Sequence, residues 1–531
     1  MDVEIIEQQR GRPDGGRFHR STASNAVVAL PNEPMIRAKT GLFILIAALL
    51  ALAALLIGIS QSAVAFGDEG FHLVASQLIN QGKRPYLDFF YQHTPLYIYT
   101  NALWMRCFGD TWRSVHLFSA LLTIASAGMI AGYVYSRVPA PSRFMWATAA
   151  AIFFATNVMV TQYTLLGMPA ALCMCLVVAA FLVTVSAHDR PHRAFWVGML
   201  SGAGIGVSLL TGPVAPVLLA WLLWHAEPQR RWKTFFMFAA GALISALPLI
   251  WLFVQAPFQM AFDTVAYQLW WRPTGLIQPN QPFIRIAAGV LNSTQGLVLV
   301  LLSLVGVAYW LSTIRRESSR LNSELRLCMI LAAILTAYVG LAPGPIFAQY
   351  FLNVIPFAAI LATVGVLALG TRIAPGIHSV WLVGIIVGIF LLAGLRSTRD
   401  HIRRPEKTWT EAENVAAFIN EVTPPDSPFY TSDGTIYFAA RRIPPTGFEN
   451  NYAFRLELPP AKQKLLRVVN HGQIYASVAE GKFGSAIAWS AKEAESLNLD
   501  TYFTERREFP GHYVYWGWEA LSQVASKTST Q

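Results

Sequence analysis

The stretch GDEGFHLVASQLINQGKRPYLDFFYQHTPLY, residues 67–97, decides how the rest of the chain is interpreted. It follows the first long apolar run and carries two adjacent acids, Asp68 and Glu69. Between residues 41 and 399 the chain has nine acidic side chains, and four of them lie in the loop 61–113. An acid at the edge of a membrane costs free energy, so it usually has a partner or a task. We therefore expect the chemistry of this protein in this loop.

The composition predicts a polytopic α-helical membrane protein. Of the 531 residues, 54% are hydrophobic and 13% are charged, and the mean hydropathy is +0.42. Ordinary soluble proteins carry about 25% charged residues. Apolar runs of about 20 residues recur, and this is the length at which an α-helix crosses a bilayer. About eleven spans are predicted, at 41–60, 114–135, 144–161, 165–187, 194–211, 213–225, 234–255, 294–313, 327–342, 347–369 and 378–395.

The positions of Lys and Arg predict a cytoplasmic N-terminus. Basic residues cluster in every second connection between spans, as the positive-inside rule requires, and the loops 61–113 and 256–293 are then external. These clusters account for the net charge of +10, so no nucleic-acid partner is expected. Four arginines on the predicted outer side contradict the rule: Arg396, Arg399, Arg403 and Arg404. Either the span count is off by one, or these arginines bind something anionic.

Composition divides the chain into three parts. Residues 1–40 are polar and predict a disordered cytoplasmic tail, and residues 41–399 form the transmembrane part. From residue 400 onward the chain holds sixteen of its thirty acids and no run that could span a bilayer. Helix-like and strand-like segments alternate there, which predicts a small α/β domain on the outer side at 400–531. The predicted strands are PFYTS, QIYASV, AIAWS, TYFTERREF and HYVYWGW.

Two short apolar segments of the first external loop predict helices at the membrane surface. They are FHLVASQLI and PLYIYTNALWMRCFG, and both are too short to span a bilayer. Aromatic rings are dense between them, and such rings either stack on sugars or settle at the membrane interface. For Asp68 itself, the ordinary interpretation is an acid that the helix dipole favours. Helical spacing puts five residues of the first segment on one face: Asp68, Phe71, His72, Ala75 and Ile79.

The motifs of this loop carry a resemblance. A GDE motif directly after the first span, a Pro-Tyr-x-Asp-Phe-Phe segment and a His-x-Pro turn together resemble the GT-C glycosyltransferases. The similarity is greatest to the bacterial branch related to protein O-mannosyltransferases and lipid A aminoarabinose transferases. It covers nearly the whole chain in its pattern of spans and external parts, although only the first loop matches at the level of motifs. It implies a multi-pass protein of the bacterial inner (plasma) membrane with a periplasmic C-terminal domain.

The resemblance also implies a reaction. A sugar would move from a polyprenyl-phosphate-linked donor to a hydroxyl of a glycan, lipid or protein acceptor, with inversion in a single displacement. The family's catalytic base maps onto Asp68, and Glu69, which matches the second acid of the motif, is the other catalytic candidate. A base removes the proton of the acceptor, and positive charge compensates the leaving phosphate. The donor-binding candidates are Asp88, His93, Lys83, Arg84, Arg272 and Tyr350.

No motif in the sequence requires a cofactor. The four cysteines form neither a CxxC motif nor a Cys/His cluster, so no metal site is predicted from them. A divalent metal ion at Asp68 stays open, because no coordination set can be identified from the sequence.

A lipid-linked sugar flippase or transporter is the alternative function. Ion-coupled transporters usually place acids, His or Lys inside their spans. The predicted spans contain no Asp, Glu or Lys, and His116 is an isolated histidine near the start of a helix. A ligase that joins whole polysaccharides to lipid is a third option, although its large acceptor loop would usually come late in the order of spans. The early, acid-rich loop favours the glycosyltransferase.

Overall fold

The computed structural model describes residues 35–519, except for 139–141, 188–189, 273–286, 288, 292, 315–319, 343–345 and 374–376. Most of the predicted tail 1–40 and much of the predicted loop 256–293 lie outside these residues. The described part has long apolar helices, a layer of short helices from the first loop, and an α/β domain that packs on this layer.

The predicted class, a polytopic α-helical membrane protein with an external α/β part, agrees with the helices of the bundle. They are α1 (Met35–Ser60), α4 (Trp112–Arg137), α5 (Arg143–Ala155), α6 (Val158–Tyr163), α7 (Ala170–Val185), α8 (Arg193–Val207), α9 (Val214–His225), α10 (Arg231–Gln255), α12 (Thr294–Ile314), α13 (Arg320–Leu341), α14 (Ile355–Ile373) and α15 (Ile377–Arg403). The connections include α11 (Pro257–Ala261), a π-helix (Phe262–Trp271) and 3₁₀ turns at Leu209–Thr211, Pro228–Arg230 and Ala348–Val354.

Every predicted span overlaps at least one helix, but not every helix has the length of a span. Seven described helices are long and apolar enough to cross a membrane: Thr40–Ser60, Trp112–Arg137, Pro228–Gln255, Thr294–Ser312, Leu321–Leu341, Ala348–Gly370 and Val380–Arg403. The predicted span 144–161 shows why seven helices, rather than the eleven predicted, reach the length of a span. Its helix ends at Ala155, and the side chain of Asn157 accepts a hydrogen bond from the backbone of Met159 to begin α6.

The two predicted surface helices of the first loop exist as α2 (Glu69–Asn80) and α3 (Leu96–Phe108). However, α2 is buried along most of its length, because it packs against α3 on one side and α17 (Gly434–Ala440) on the other. Gly70 permits this contact: a Cβ atom at Gly70 would lie 2.4 Å from the backbone nitrogen of Thr435. The helix is therefore an internal layer between the bundle and the C-terminal domain.

The C-terminal part contains the predicted α/β structure. Its strands are β1 (Phe429–Thr431), β2 (Ser485–Ala488), β3 (Phe503–Phe509) and β4 (His512–Trp518), in the sheet order β1-β2-β4-β3. Strands β1 and β2 are parallel, and β4 is antiparallel to β2 and β3. The helices are α16 (Trp409–Val422), α17, α18 (Pro460–Leu466), α19 (His471–Ala479), α20 (Ala491–Ser496) and α21 (Leu499–Tyr502).

One strand prediction was wrong. The segment QIYASV lies inside α19, because Asn470 and Gln473 form a reciprocal capping box at the start of that helix. Ile474 and Val478 are both fully buried, and their four-residue spacing is that of one face of a helix.

The start of the C-terminal domain is joined to the first loop by backbone hydrogen bonds. Ala65 donates to the carbonyl of Lys407 over 3.0 Å, and Trp409 donates to the carbonyl of Ala63 over 2.7 Å. The ring of Trp409 is fully buried and stacks on that of Trp112, with centroids 5.9 Å apart. The first loop and the C-terminal domain therefore form one continuous structure above the bundle.

Candidate active site

Asp68 stands directly before α2 and lines a pocket between the bundle and the C-terminal domain. Its carboxylate is half-buried and accepts a hydrogen bond from the hydroxyl of Tyr452. Phe71 and His72, in the first turn of α2, line the same pocket. Of the five residues predicted to share one face of this helix, the first three, Asp68, Phe71 and His72, therefore face this pocket.

The pocket has a cavity volume of about 100 Å³ and collects residues from distant parts of the chain. Its apolar wall includes Met168, Pro169, Ala170, Leu210 and Leu352. Its polar and aromatic lining includes Asp68, His72, Gln92, His93, Tyr163, Tyr267, Gln268, Arg272, Tyr350, Asn353 and Tyr452. An apolar wall facing a few convergent polar groups is typical of a ligand-binding site.

Asp68 is the one carboxyl group among the described residues that line the pocket. Burial raises its pKa, and two neighbours oppose this rise: the hydrogen bond from Tyr452 and the positive charge of Arg272. The balance leaves the pKa of Asp68 above its ordinary value. A carboxylate with a raised pKa is a stronger base than a free aspartate, which suits proton abstraction from a hydroxyl.

Arg272 lies at the end of the π-helix and is held by side chains on two sides. It donates hydrogen bonds to the hydroxyl of Tyr350 and, over 3.0 Å, to Oε1 of Gln268. Its guanidinium carbon is 5.6 Å from the ring centroids of Phe347 and Tyr350. Among the described residues, Arg272 forms no ion pair with Asp68 although both line the pocket. Its positive charge therefore faces the pocket without a carboxylate partner.

His93 lines the pocket as a neutral ring. It stacks on Phe71 with centroids 5.8 Å apart, and burial and the nearby charge of Arg272 lower its pKa to about 3. The pKa of His72 is also lowered, by burial and by His93, and its Nδ1 is 2.9 Å from the hydroxyl of Tyr91. Both histidines can form hydrogen bonds at neutral pH, but neither adds positive charge.

The C-terminal domain supplies one wall of the pocket. In addition to the contact of Tyr452 with Asp68, Asn450 donates to Oε1 of Gln92 over 2.6 Å. The backbone carbonyl of Gln92 accepts a hydrogen bond from Gln268 over 2.7 Å. These contacts join the first loop, the π-helix and the C-terminal domain around one site.

Glu69 points away from the pocket and forms what we call the Glu69 anchor, which consists of Glu69, His116, Gly167 and Trp409. Oε1 contacts the ring nitrogen Nε2 of His116 and accepts a 2.7 Å hydrogen bond from the backbone of Gly167. Oε2 accepts a 3.2 Å hydrogen bond from the indole of Trp409. Glu69 is fully buried, and its carboxylate thus connects α2 to α4, to the segment before α7 and to the C-terminal domain.

Comparisons with known proteins identify the fold. Residues 92–253 match the family model of dolichyl-phosphate-mannose-protein mannosyltransferases. ArnT from Cupriavidus metallidurans is similar over 90% of this chain and 98% of its own at 14% identity, with TM-scores of 0.64 bound to undecaprenyl phosphate and 0.66 in the apo state. The chain has the GT-C glycosyltransferase fold. The resemblance predicted from the first loop is thereby confirmed at the level of the fold.

A more distant GT-C structure shows the same fold. It is archaeal oligosaccharyltransferase AglB from Archaeoglobus fulgidus, in complex with an inhibitory peptide and a dolichol-phosphate. AglB is similar over 89% of this chain and 74% of its own, at 12% identity and a TM-score of 0.55. No curated protein sequence matches the chain.

Within the GT-C fold, the structure divides the predicted site residues into two groups. Asp68, His93, Arg272 and Tyr350 line the pocket, whereas Glu69, Lys83, Arg84 and Asp88 do not. The last three belong to an exposed turn. There, the backbone of Arg84 donates to Asp88 over 2.8 Å, and the side chain of Arg84 donates to Gln255 over 3.1 Å.

The sequence analysis missed Tyr452, Gln268 and Asn353. Asn353 lies in a 3₁₀ turn and Gln268 lies in a π-helix, and neither residue belongs to a recognisable sequence motif. Tyr452 lies four residues beyond the segment YFAARRIPPTGF (437–448), and no local pattern there indicates a contact with the first loop.

The surroundings of Asp68 do not form a metal-ligand set. Across the described residues, no group of three or more His, Cys, Asp or Glu side chains is placed to hold a metal ion. The carboxylate of Asp68 instead has a tyrosine hydroxyl as its hydrogen-bond partner. The positive charge that the described lining offers to an anion is that of Arg272.

Proposed function

We propose that this protein is an integral membrane glycosyltransferase that moves a sugar from a polyprenyl-phosphate-linked donor to an acceptor hydroxyl on the outer face of the membrane. One observation carries the proposal: Asp68, a carboxylate with a raised pKa, and Arg272, a half-buried cation, share a pocket without pairing with each other. Transfer from a lipid phosphate needs a base for the acceptor and positive charge for the leaving group.

Asp68 acts as the base in this proposal. Tyr452 donates to Oδ1, which orients the carboxylate and leaves Oδ2 for the acceptor. As the acceptor oxygen bonds to the anomeric carbon, its proton passes to Asp68 and the bond from that carbon to the phosphate oxygen breaks. A single displacement with the acceptor and the phosphate on opposite sides of the sugar inverts the anomeric configuration.

Arg272 and Tyr350 bind the phosphate that leaves. Arg272 is fixed by Gln268 and Tyr350, so little of its conformational freedom is lost when it binds the phosphate. Pro169 and Ala170, at the beginning of α7, also line the pocket, and the positive end of a helix dipole favours an anion there. His93 is neutral and serves as a hydrogen-bond partner.

Other lining residues suit the sugar and the lipid. Oδ1 of Asn353 is buried and has no hydrogen-bond partner among the described residues, so it can accept a bond from a sugar hydroxyl. Aromatic rings such as Phe71 and Tyr163 can contact a sugar face. Leu210 and Leu352 offer an apolar surface to the first units of the lipid chain. The solved complex of ArnT with undecaprenyl phosphate supports a lipid donor of this class.

We place the protein in the bacterial plasma membrane with its N-terminus in the cytoplasm and the pocket outside. The pocket lies where the first loop meets the C-terminal domain. The connections rich in Lys and Arg alternate along the sequence with the connections on the side of the first loop, as expected for cytoplasmic loops. The acceptor is a glycan, lipid or protein of the cell envelope.

The test is a transfer assay with the purified full-length chain in liposomes and a panel of polyprenyl-phosphate sugars. Release of polyprenyl phosphate is measured for the wild type, Asp68→Asn and Asp88→Asn. Asp88 is the matched control because it is an acid of the same loop outside the pocket. We expect release by the wild type and the control and its loss in Asp68→Asn.

Two results would contradict the proposal. Equal release by the wild type and Asp68→Asn would remove Asp68 from the chemistry. Translocation of lipid-linked sugars across the vesicle membrane without any release would favour the flippase.

A further inference from the structure

A second cavity lies among the helices of the bundle, far from the pocket. It has a volume of about 240 Å³ and is enclosed by α4, α5, α12, α13 and α14. The distance between the cavity and the pocket can be estimated along helix α4. This helix begins at Trp112, beside the Glu69 anchor, and reaches the cavity at Tyr133. Those residues are about six helical turns apart, or roughly 32 Å. The cavity is therefore at the opposite end of the bundle from the pocket.

The walls of this cavity are mostly apolar, and their polar residues include Arg137, Asn322, Thr363 and Trp146. Val134, Leu325, Ile360 and Val364 are among the aliphatic residues that line it. Trp146 lines it too; this side chain is 4% exposed, and its indole N–H has no hydrogen-bond partner among the described residues. A buried donor without a partner is costly unless a ligand supplies an acceptor. An apolar chain that carries an oxygen atom would meet both requirements.

Two arginines stand over the aromatic part of the lining. The guanidinium carbon of Arg326 is 5.9 Å from the ring centroid of Trp310, and that of Arg372 is 5.5 Å from the ring centroid of Tyr309. Both rings line the cavity, and both arginines are exposed. Neither arginine has an ion-pair partner within the part of the chain that the structure describes.

A third arginine at the cavity is already neutralised. Arg137 lines the cavity and donates to Glu324 through Nη2 over 2.9 Å and through Nε over 2.5 Å. Among the arginines described at this end of the cavity, Arg326 and Arg372 are therefore the ones whose charge is available to a ligand.

We propose that this cavity binds an anionic lipid of the membrane leaflet opposite the pocket. Its apolar chain occupies the space between α4, α5 and α14, and its phosphate contacts Arg326 and Arg372. A lipid oxygen accepts the hydrogen bond of Trp146. Guanidinium groups suit phosphate geometry, and basic pockets between transmembrane helices on the cytoplasmic side bind lipid phosphates. A phospholipid and a polyprenyl phosphate share this chemistry.

The test measures lipid binding to the delipidated full-length protein by native mass spectrometry. The probes are phosphatidylglycerol, phosphatidylcholine and undecaprenyl phosphate, added to the wild type and to the double variant Arg326→Gln/Arg372→Gln. The matched control is Arg231→Gln, which removes an exposed arginine at the start of α10. All are repeated with Arg272→Gln, because the pocket is a second place where a lipid phosphate can bind.

We expect phosphatidylglycerol to bind about fivefold more weakly for each arginine removed, and phosphatidylcholine to be unaffected. The control should bind like the wild type, and Arg272→Gln should leave this binding intact. Stronger competition by undecaprenyl phosphate than by phosphatidylglycerol would identify the carrier lipid as the occupant, and the reverse would identify a phospholipid. Equal binding of neutral and anionic lipids, unchanged in the double variant, would overturn the proposal.

A second variant keeps the proposal testable if the double variant is unstable. Val364→Phe fills the cavity with a larger apolar side chain and leaves every charge in place. We expect it to reduce anionic lipid binding while the protein elutes normally in gel filtration. Unchanged binding in a folded Val364→Phe would show that the lipid chain does not enter the cavity.

Discussion

Asp68 and Glu69 are neighbours in the chain, yet their side chains enter different regions of the molecule. Asp68 is half-buried in the pocket with a raised pKa, whereas Glu69 is fully buried in the Glu69 anchor with both oxygens bonded. Successive side chains at the start of a helix point about 100° apart, so one acid faces the pocket and the other faces the joint between domains. One acid of the motif is therefore available for a reaction in the pocket, and the other holds the first loop against the bundle and the C-terminal domain.

The largest expected effect separates the two acids by activity. In Asp68→Asn, turnover should fall by about 10²- to 10⁴-fold, because the base is lost while the shape of the side chain is kept. The melting temperature in detergent should stay close to that of the wild type. Turnover is measured from the release of polyprenyl phosphate and stability from thermal unfolding. A large loss of stability in Asp68→Asn would break the comparison, because Asp68 would then also be an anchor.

The second effect separates them by stability. Glu69→Ala should destabilise the protein by about 3–5 kcal/mol, because it leaves His116 and the N–H groups of Gly167 and Trp409 without their buried partner. Glu69→Gln should lose less, since the amide keeps an acceptor for those N–H groups. Denaturant unfolding measures both. A stable Glu69→Ala with no turnover would instead assign Glu69 to the chemistry, as the resemblance implies.

The third effect concerns the other charge of the pocket. Arg272→Gln should lower kcat/KM by about 10- to 100-fold, because hydrogen bonds to a charged partner contribute about 1.5–3 kcal/mol. Arg272→Lys should recover only part of this loss, since an ammonium group cannot reproduce the planar fork. Steady-state kinetics with a single donor provide the measurement. The exposed Arg84→Gln is the control, and an equal loss there would argue against a special role for the pocket arginine.

The smallest effect concerns the tuning of Asp68. The hydrogen bond from Tyr452 lowers the pKa of Asp68, so Tyr452→Phe should raise that pKa. The base works when ionised, and the acidic limb of the pH–rate profile should therefore move to higher pH, with a change of only a few-fold on the alkaline side. Tyr475→Phe, in the same domain but far from the pocket, should leave the profile unchanged. A shift to lower pH in Tyr452→Phe would contradict the assignment.

The sequence predicted the features that local patterns determine. Apolar runs located the helices of the bundle, and helical spacing identified the face of α2 that carries Asp68, Phe71 and His72. QIYASV was misread as a strand because its β-branched and aromatic residues favour strands. The cap formed by Asn470 and Gln473 outweighs that preference.

The contacts that complete the site could not be predicted from the sequence. Tyr452 is 384 positions from Asp68, and Trp409 is 340 positions from Glu69. No periodicity or motif encodes a pairing over such separations. The sequence also could not show that Lys83, Arg84 and Asp88 lie outside the pocket, because an exposed turn and a pocket wall can have the same composition.

The long separation between Asp68 and Tyr452 has a consequence for biosynthesis. In the proposed mechanism Tyr452 orients Asp68, and the ribosome must add 384 residues after Asp68 before the two side chains can meet. A nascent chain that stops before residue 452 has all its bundle helices but lacks a complete reaction centre. Under the proposed function, a chain therefore becomes competent for transfer only after the C-terminal domain has been made and has packed on the first loop.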